Sequence, residues 1–135
     1  MILELEKHKI SVVGLGYVGL PLAIELGKKY ETVGFDINPD RVNQLSLGFD
    51  STNELSENEI KSSKKISFSN KIEDISTSTI YIVSVPTPID VDNKPDLSPL
   101  LSATMMISKF IDRGNIVIFE STVYPGCTEE ECVPI

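Results

Sequence analysis

Three glycines, Gly14, Gly16 and Gly19, follow directly on the apolar run Ile10-Ser11-Val12-Val13, and a carboxylate, Asp36, closes the next apolar run, Thr32-Val33-Gly34-Phe35. Residues of these types at this spacing can hold a diphosphate and a ribose. Gly14 lets the chain turn tightly off a strand, Gly16 removes a Cβ that would keep a pyrophosphate away, and Gly19 lets a helix lie close to the sheet. The first turn of that helix offers free N–H groups and a partial positive charge, so the anion needs no lysine. Asp36, roughly 20 residues past the glycines, is placed to accept from both hydroxyls of an adenosine ribose, which favours NAD over NADP. The competing reading of Asp36 is a turn or capping residue before Asn38-Pro39.

The elements that position these groups read as strand, turn, helix, strand. The β-branched run Ile10 to Val13 suits a buried parallel strand. A helix follows to Lys29, with Pro21 in the first turn, where its absent N–H has no intrahelical role. Asn38 is placed to cap a helix from Pro39 to about Leu47, with Val42 and Leu45 inward and Gly48 closing it. Arg41 falls in its first turn. There it either meets the adenosine end of a dinucleotide or pairs, solvated, with a local acid.

Further along, Phe49 to Lys65 is a polar excursion in which Ser56-Glu57-Asn58-Glu59 has capping-box spacing. Ile66 and Phe68 alternate with serines as a half-buried strand near one side of a sheet, and Ile72 and Ile75 anchor a helical turn. Thr79 to Val85 predicts a second clear buried strand. It runs into Pro86-Thr87-Pro88, a rigid corner at a carboxyl end, where open α/β sheets bind their ligands. Val85, Pro86 and Thr87 are therefore candidate cofactor contacts, against a plain turn threonine between two prolines.

Asp96 or Ser98 is expected to cap a helix whose apolar face carries Leu100, Leu101, Ala103, Thr104, Ile107 and Ile111, with Met105 and Met106 as core filler and Gly114 at its end. Asn115 to Phe119 predicts another buried strand, presenting Glu120-Ser121-Thr122 at the same crevice. Val123 to Gly126 is a turn, and Thr128 to Glu131 opens a further helix. No C-cap follows before Ile135, so the sequence reads as cut inside an element. The alternation of strands and helices predicts a Rossmann-type α/β domain over residues 1–135, a doubly wound parallel sheet with helices on both faces.

Lys+Arg total 12 and Asp+Glu 20, a net charge of −8. This balance argues against a nucleic-acid backbone or an anionic membrane as partner. Glu4, Glu6 and Lys7 stand where a signal peptide would be apolar, and the expectation is a cytoplasmic protein. Met1 to Lys9 reads as a leader, with His8, the one histidine, solvated. Cys127 and Cys132 fit neither a disulfide framework nor a zinc spacing, so they read as ordinary thiols, and no metal site is expected.

With the glycine turn, Val85-Pro86-Thr87-Pro88, Pro95-Asp96-Leu97-Ser98 and Glu120-Ser121-Thr122-Val123-Tyr124-Pro125-Gly126 in order, nearly the whole chain resembles the nucleotide-sugar 6-dehydrogenases, which include UDP-glucose and GDP-mannose dehydrogenases. Glu120 to Ile135 is most similar to the bacterial UDP-N-acetylhexosamine dehydrogenases, the Vi-antigen type that oxidises UDP-N-acetylglucosamine in particular. The resemblance implies oxidation of a sugar C6 hydroxymethyl to a carboxylate by two NAD-dependent hydride transfers, through a thiohemiacetal and a thioester on a cysteine. It places Gly14, Gly16, Tyr17, Val18, Gly19, Asp36, Arg41, Thr87 and Thr122 around NAD, Thr122 near the reacting carbon, and Glu120 beside the nicotinamide end. It also implies a later domain with a Gly-Gly-His-Cys segment, a linking helix with a lysine and an asparagine, most of the sugar contacts, and a homodimer through that helix. None of those segments lies in these 135 residues, so the chain alone is expected to be inactive. The rival readings are the cofactor domain of a hydroxyacid or 6-phosphogluconate dehydrogenase, and a non-enzymatic NAD-sensing domain.

Overall fold

The computed structural model describes residues 4–135; of the expected leader, Met1 to Leu3 lie outside them. Five strands, β1 (Ile10–Val13), β2 (Thr32–Phe35), β3 (Ile66–Ser69), β4 (Ile80–Val83) and β5 (Ile116–Phe119), form one sheet. Their order is β3-β2-β1-β4-β5 and every pairing is parallel. Ile10 registers with Thr32 on one side and Ile80 on the other. Connections therefore leave β1 towards one edge and return through β4 towards the other. The reversal opens a crevice at the carboxyl ends, between β1 and β4.

The helices are α1 (Gly19–Gly27), α2 (Pro39–Ser46), α3 (Glu57–Ser62) and α4 (Ser98–Ser108), with single turns at Leu5–Lys7 and Ile72–Ile75. Side chains alternate across the strands, so the sheet carries two apolar layers. Ile10, Val12, Ile80 and Ile82 face Leu20, Ala23 and Ile24 of α1, with Leu45 and Ile60 beside them. Val13, Val33, Phe35, Tyr81 and Val83 face Ile75 and the α4 residues Leu100, Ala103 and Ile107. Both faces are covered, which is why β1, β2 and β4 are buried along their whole length. Three buried hydroxyls here are satisfied. Ser11 Oγ and Ser78 Oγ share a hydrogen bond of 2.5 Å, and Tyr81 OH donates to the Ile75 carbonyl at 3.0 Å.

Local signals account for most boundaries. Asn38 Oδ1 accepts from the Asp40 and Arg41 N–H groups, Pro39 opens α2, and Gly48 follows it at φ +83°. Ser56 and Glu59 form the reciprocal capping box of α3. Asp96 Oδ1 accepts from the Ser98 N–H at 2.9 Å, so the acid caps the start of α4 from just outside it.

Several expectations are corrected. α1 stops at Gly27 rather than Lys29, and α4 stops at Ser108, well before Gly114. Gly114, at φ +92°, instead turns the chain into β5. Met105 is exposed rather than core, because the inward stripe of α4 runs through Leu100, Ala103, Thr104 and Ile107, and Ile111 is exposed beyond the end of the helix. β5 is half-buried, as an edge strand, not enclosed. The helix expected from Thr128 is present as a five-residue π-helical turn, Thr128–Cys132. His8 is not simply solvated: its Nδ1 and Thr79 Oγ1 hydrogen-bond at 2.8 Å, which ties the leader to the start of β4.

Candidate functional site

A cavity of about 580 Å³ opens at the carboxyl ends of β1 and β2, between the glycine turn and α4. Gly14, Gly16, Asp36, Arg41, Val85 and Pro86 all line it, so six of the residues singled out in the sequence converge on one space.

The glycines do different work. Gly14 sits at φ +97°, and a Cβ there would stand 2.9 Å from the Val85 backbone nitrogen. A Cβ on Gly19 would lie 1.8 Å from the Gly14 carbonyl oxygen, which is how closely α1 approaches the turn. Gly16 is the opposite case: a Cβ there meets no atom within 4 Å and would project into open space. Among the described residues nothing accepts from the backbone N–H of Gly16, Tyr17 or Val18. The result is a set of free donors at the N-terminus of α1, beside the one glycine of these three whose missing side chain leaves open space.

Asp36 is anchored rather than loose. Its Oδ2 accepts from the Leu15 N–H and its Oδ1 from the Asn38 N–H, each at 3.0 Å. The capping and ligand readings are thus compatible, since each carboxylate oxygen keeps a second lone pair for a ribose hydroxyl.

Arg41 resolves the choice posed by the sequence in part. It does pair with a local acid, but inside the protein: the residue is 8% exposed, and its Nη1 donates to Asp50 Oδ1 at 2.7 Å. Nε donates to the Leu15 carbonyl at 2.9 Å, so the same side chain braces the glycine turn. Nη2 is buried without a partner. Asp50 also accepts from Thr52 Oγ1 and from the N–H groups of Thr52, Glu54 and Leu55. Burial pushes the Asp50 carboxyl up, but the hydrogen bonds from Thr52, Arg41 and Leu55 more than offset this and hold it at about 2.

The remaining candidates form a second group on the tips of β4 and β5. Thr87 Oγ1 donates to the Thr122 carbonyl at 2.6 Å, and Ser121 Oγ donates to the Val85 carbonyl at 2.6 Å. Glu120 is exposed, and its N–H is held by the Val83 carbonyl at 2.8 Å. Thr87, Glu120 and Thr122 do not line the main cavity. Tyr17 and Val18 do not either, and the two residues are 67% and 57% exposed. Ser84 is a support the sequence did not reveal; its Oγ donates to the Gly14 carbonyl at 2.8 Å and ties β4 to the turn. Met106, read as filler, is one of the α4 residues that wall the cavity.

Cys127 and Cys132 are free and buried. Burial pushes the Cys132 thiol up, and Thr104 opposes this only in part. Among the described residues no group of His, Cys, Asp or Glu is arranged to hold a metal, and no helix is long and apolar enough to cross a membrane.

A parallel sheet of this order, with a glycine turn feeding a helix N-terminus and an acid on the neighbouring strand tip, defines a Rossmann-type dinucleotide-binding domain. Residues 8–135 match the model of the UDP-glucose/GDP-mannose dehydrogenase family, NAD binding domain. The chain belongs to that family and is its NAD-binding domain. It is 54% identical over 127 residues to the UDP-N-acetyl-D-glucosamine 6-dehydrogenase of Pseudomonas aeruginosa, covering 94% of this chain and 30% of that protein. It is 52% identical over 128 residues to the protein CapL of Staphylococcus aureus, covering 95% and 30%. The solved UDP-D-ManNAc dehydrogenase of Pyrococcus horikoshii superposes with a TM-score of 0.80 at 36% identity, covering 91% of this chain and 30% of that one. The chain thus spans about 30% of the length of the relatives it matches. The family match does not favour either rival reading.

Proposed function

We propose that this chain is the cofactor-holding part of a dehydrogenase that oxidises the C6 hydroxymethyl of a UDP-N-acetylhexosamine to a carboxylate. The observation that carries the reading is the open space at Gly16 between two glycines that are closely packed, beside free N–H donors. That is the shape a pyrophosphate requires. The residues present fit NAD, which when bound supplies the acceptor for the hydride leaving C6.

The chain's own residues divide the binding task. The N–H groups of Gly16, Tyr17 and Val18 receive the pyrophosphate, Asp36 accepts from the adenosine ribose hydroxyls, and Arg41 braces the turn from Leu15. Val85 and Pro86 form the wall on the β4 side, and Thr87 follows just beyond it at the strand tip. Thr122 stands near the reacting carbon, and Glu120 near the nicotinamide end. The 2.6 Å bond from Thr87 to Thr122 supports this placement, because it couples the two strand tips that would flank the nicotinamide.

The sugar assignment is supported by the identity to the Pseudomonas aeruginosa UDP-N-acetyl-D-glucosamine 6-dehydrogenase. In this reading the remaining sugar contacts, the nucleophilic cysteine and the homodimer contact belong to a further domain of a longer, cytoplasmic enzyme. A role in surface-polysaccharide synthesis is in keeping with the relationship to CapL. The test is NADH formation by the protein carrying this domain. UDP-N-acetylglucosamine or its C2 or C4 epimers should be oxidised in preference to UDP-glucose; preference for UDP-glucose would overturn the sugar assignment.

A further inference from the structure

The cavity holds contradictory signals for cofactor choice. Asp36 on the β2 tip suits a free 2′-hydroxyl, whereas an arginine in the next turn is the group that elsewhere accommodates a 2′-phosphate. Arg41 occupies that position, and it is the cationic residue lining the cavity. Residue content alone therefore does not exclude NADP.

The geometry points to Asp50 as a specificity-determining residue: by keeping the Arg41 guanidinium committed to the protein, it withholds that cation from a 2′-phosphate and makes the site reject NADP. The inference rests on the reading above, in which the adenosine end lies against Asp36.

Three features support it. The Asp50 side chain is fully buried, and the five donors around it fix the carboxylate within the 50–55 loop. The guanidinium is spent in two directions, to Asp50 and to the Leu15 carbonyl, with Ser51 Oγ a further 3.2 Å from Nη1. The unpartnered Nη2 is buried as well, so with Arg41 held in this position against Asp50 it is not presented to a phosphate in the cavity. Breaking that pair strands a buried carboxylate, a cost that the attraction of one phosphate does not recover. Because Asp50 is held ionised far below neutral pH, the commitment persists at every working pH.

The test is calorimetric titration of NAD and NADP into the protein carrying this domain, as wild type, Asp50→Asn and Asp36→Ser, with circular dichroism to verify folding. Asp50→Asn keeps the shape and releases the charge. It should raise the NADP-to-NAD affinity ratio at least about tenfold, the worth of one charge-assisted hydrogen bond. A purely structural Asp50 would weaken both ligands in parallel and leave the ratio fixed, which overturns the inference. Should Asp50→Asn not fold, Asp36→Ser decides. With the Asp50 pair intact it removes the repulsion but brings no cation, so NADP should bind no tighter than NAD. A clear NADP preference in Asp36→Ser overturns the inference. Wild-type protein that binds neither dinucleotide sinks the cofactor reading itself, whereas bound NAD with an unmoved ratio in Asp50→Asn sinks the inference alone.

Discussion

Thr87 and Thr122 are joined across the crevice mouth by a 2.6 Å hydrogen bond, in which the Thr87 hydroxyl donates to the Thr122 carbonyl oxygen. The bond fixes the tip of β5 against the corner after β4, and both threonines lie outside the cavity proposed for the adenosine half. Thr87→Val should therefore act on the reacting end. In the protein carrying this domain, turnover should fall about tenfold, the order of one hydrogen bond, while NAD affinity moves less than about threefold. Steady-state kinetics with calorimetry would separate the two. Parallel losses would mean that Thr87 serves binding rather than positioning.

The three glycines predict opposite mutant behaviour. Gly16→Val should abolish NAD binding with an unchanged circular dichroism spectrum, because its Cβ meets no protein atom within 4 Å and the side chain projects into ligand space. Gly19→Ala should leave little folded protein, because its Cβ would lie 1.8 Å from a backbone carbonyl that cannot yield cheaply. Retained NAD binding in Gly16→Val, or a wild-type melting temperature in Gly19→Ala, would contradict these roles.

Acid should unfold the domain partly through Asp50. Its folded pKa, about 2, lies below the ordinary 3.8, so its stabilisation is present above the unfolded value and is lost as pH falls through the folded one. The linkage amounts to about 2 kcal/mol at neutral pH, disappearing between about pH 4 and pH 2. Denaturant titrations across that window should show a shallower slope for Asp50→Asn than for wild type. An equal slope would place the acid sensitivity elsewhere.

The two thiols should be inert. Cys127 and Cys132 are packed into the layer under α4, out of a reagent's reach, and burial raises the Cys132 pKa, so that thiol in particular offers little thiolate. Native protein should resist alkylation at both and take up two equivalents once denatured. Cys127→Ser should cost about 1–3 kcal/mol, by burying a hydroxyl among apolar groups, and leave NAD affinity unchanged.

Patterned features were legible in the sequence, and context-dependent ones were not. The glycine turn, Asp36, the Asn38 and Ser56 caps and strands β1, β2 and β4 were readable because each depends on local backbone geometry or on a continuous apolar run. Gly114 misled because glycine signals a left-handed turn without saying what precedes it; here an irregular stretch, not a helix, comes before it. Met105 and Met106 were indistinguishable by type, and only the phase of α4 exposes the first and turns the second to the cavity. Asp50 left no signal, since its importance arises from a loop that folds back onto α2 and sits in a polar stretch without periodicity. His8 likewise acquired its partner, Thr79, through sheet formation across 71 residues.

The last prediction separates cofactor binding from catalysis. Hydride transfer needs the alcohol held against the nicotinamide with a base near its proton, and full oxidation needs a nucleophile to trap the aldehyde. Among the described residues the chain supplies a wall for the cofactor but brings no thiol to the crevice. His8 bonds to Thr79 just before β4, at the opposite end of the strands from the glycine turn, and both cysteines are buried in the core. The 135-residue chain should accordingly bind NAD yet form no NADH from any UDP-hexose or UDP-N-acetylhexosamine. In the protein carrying the domain, Thr122→Ala should lower turnover more than NAD affinity, because its proposed place is beside the reacting carbon. Absorbance assays with the chain alone decide the first point. NADH formation abolished by Cys127→Ser would require that buried thiol to reach the substrate and would overturn the division of labour argued here.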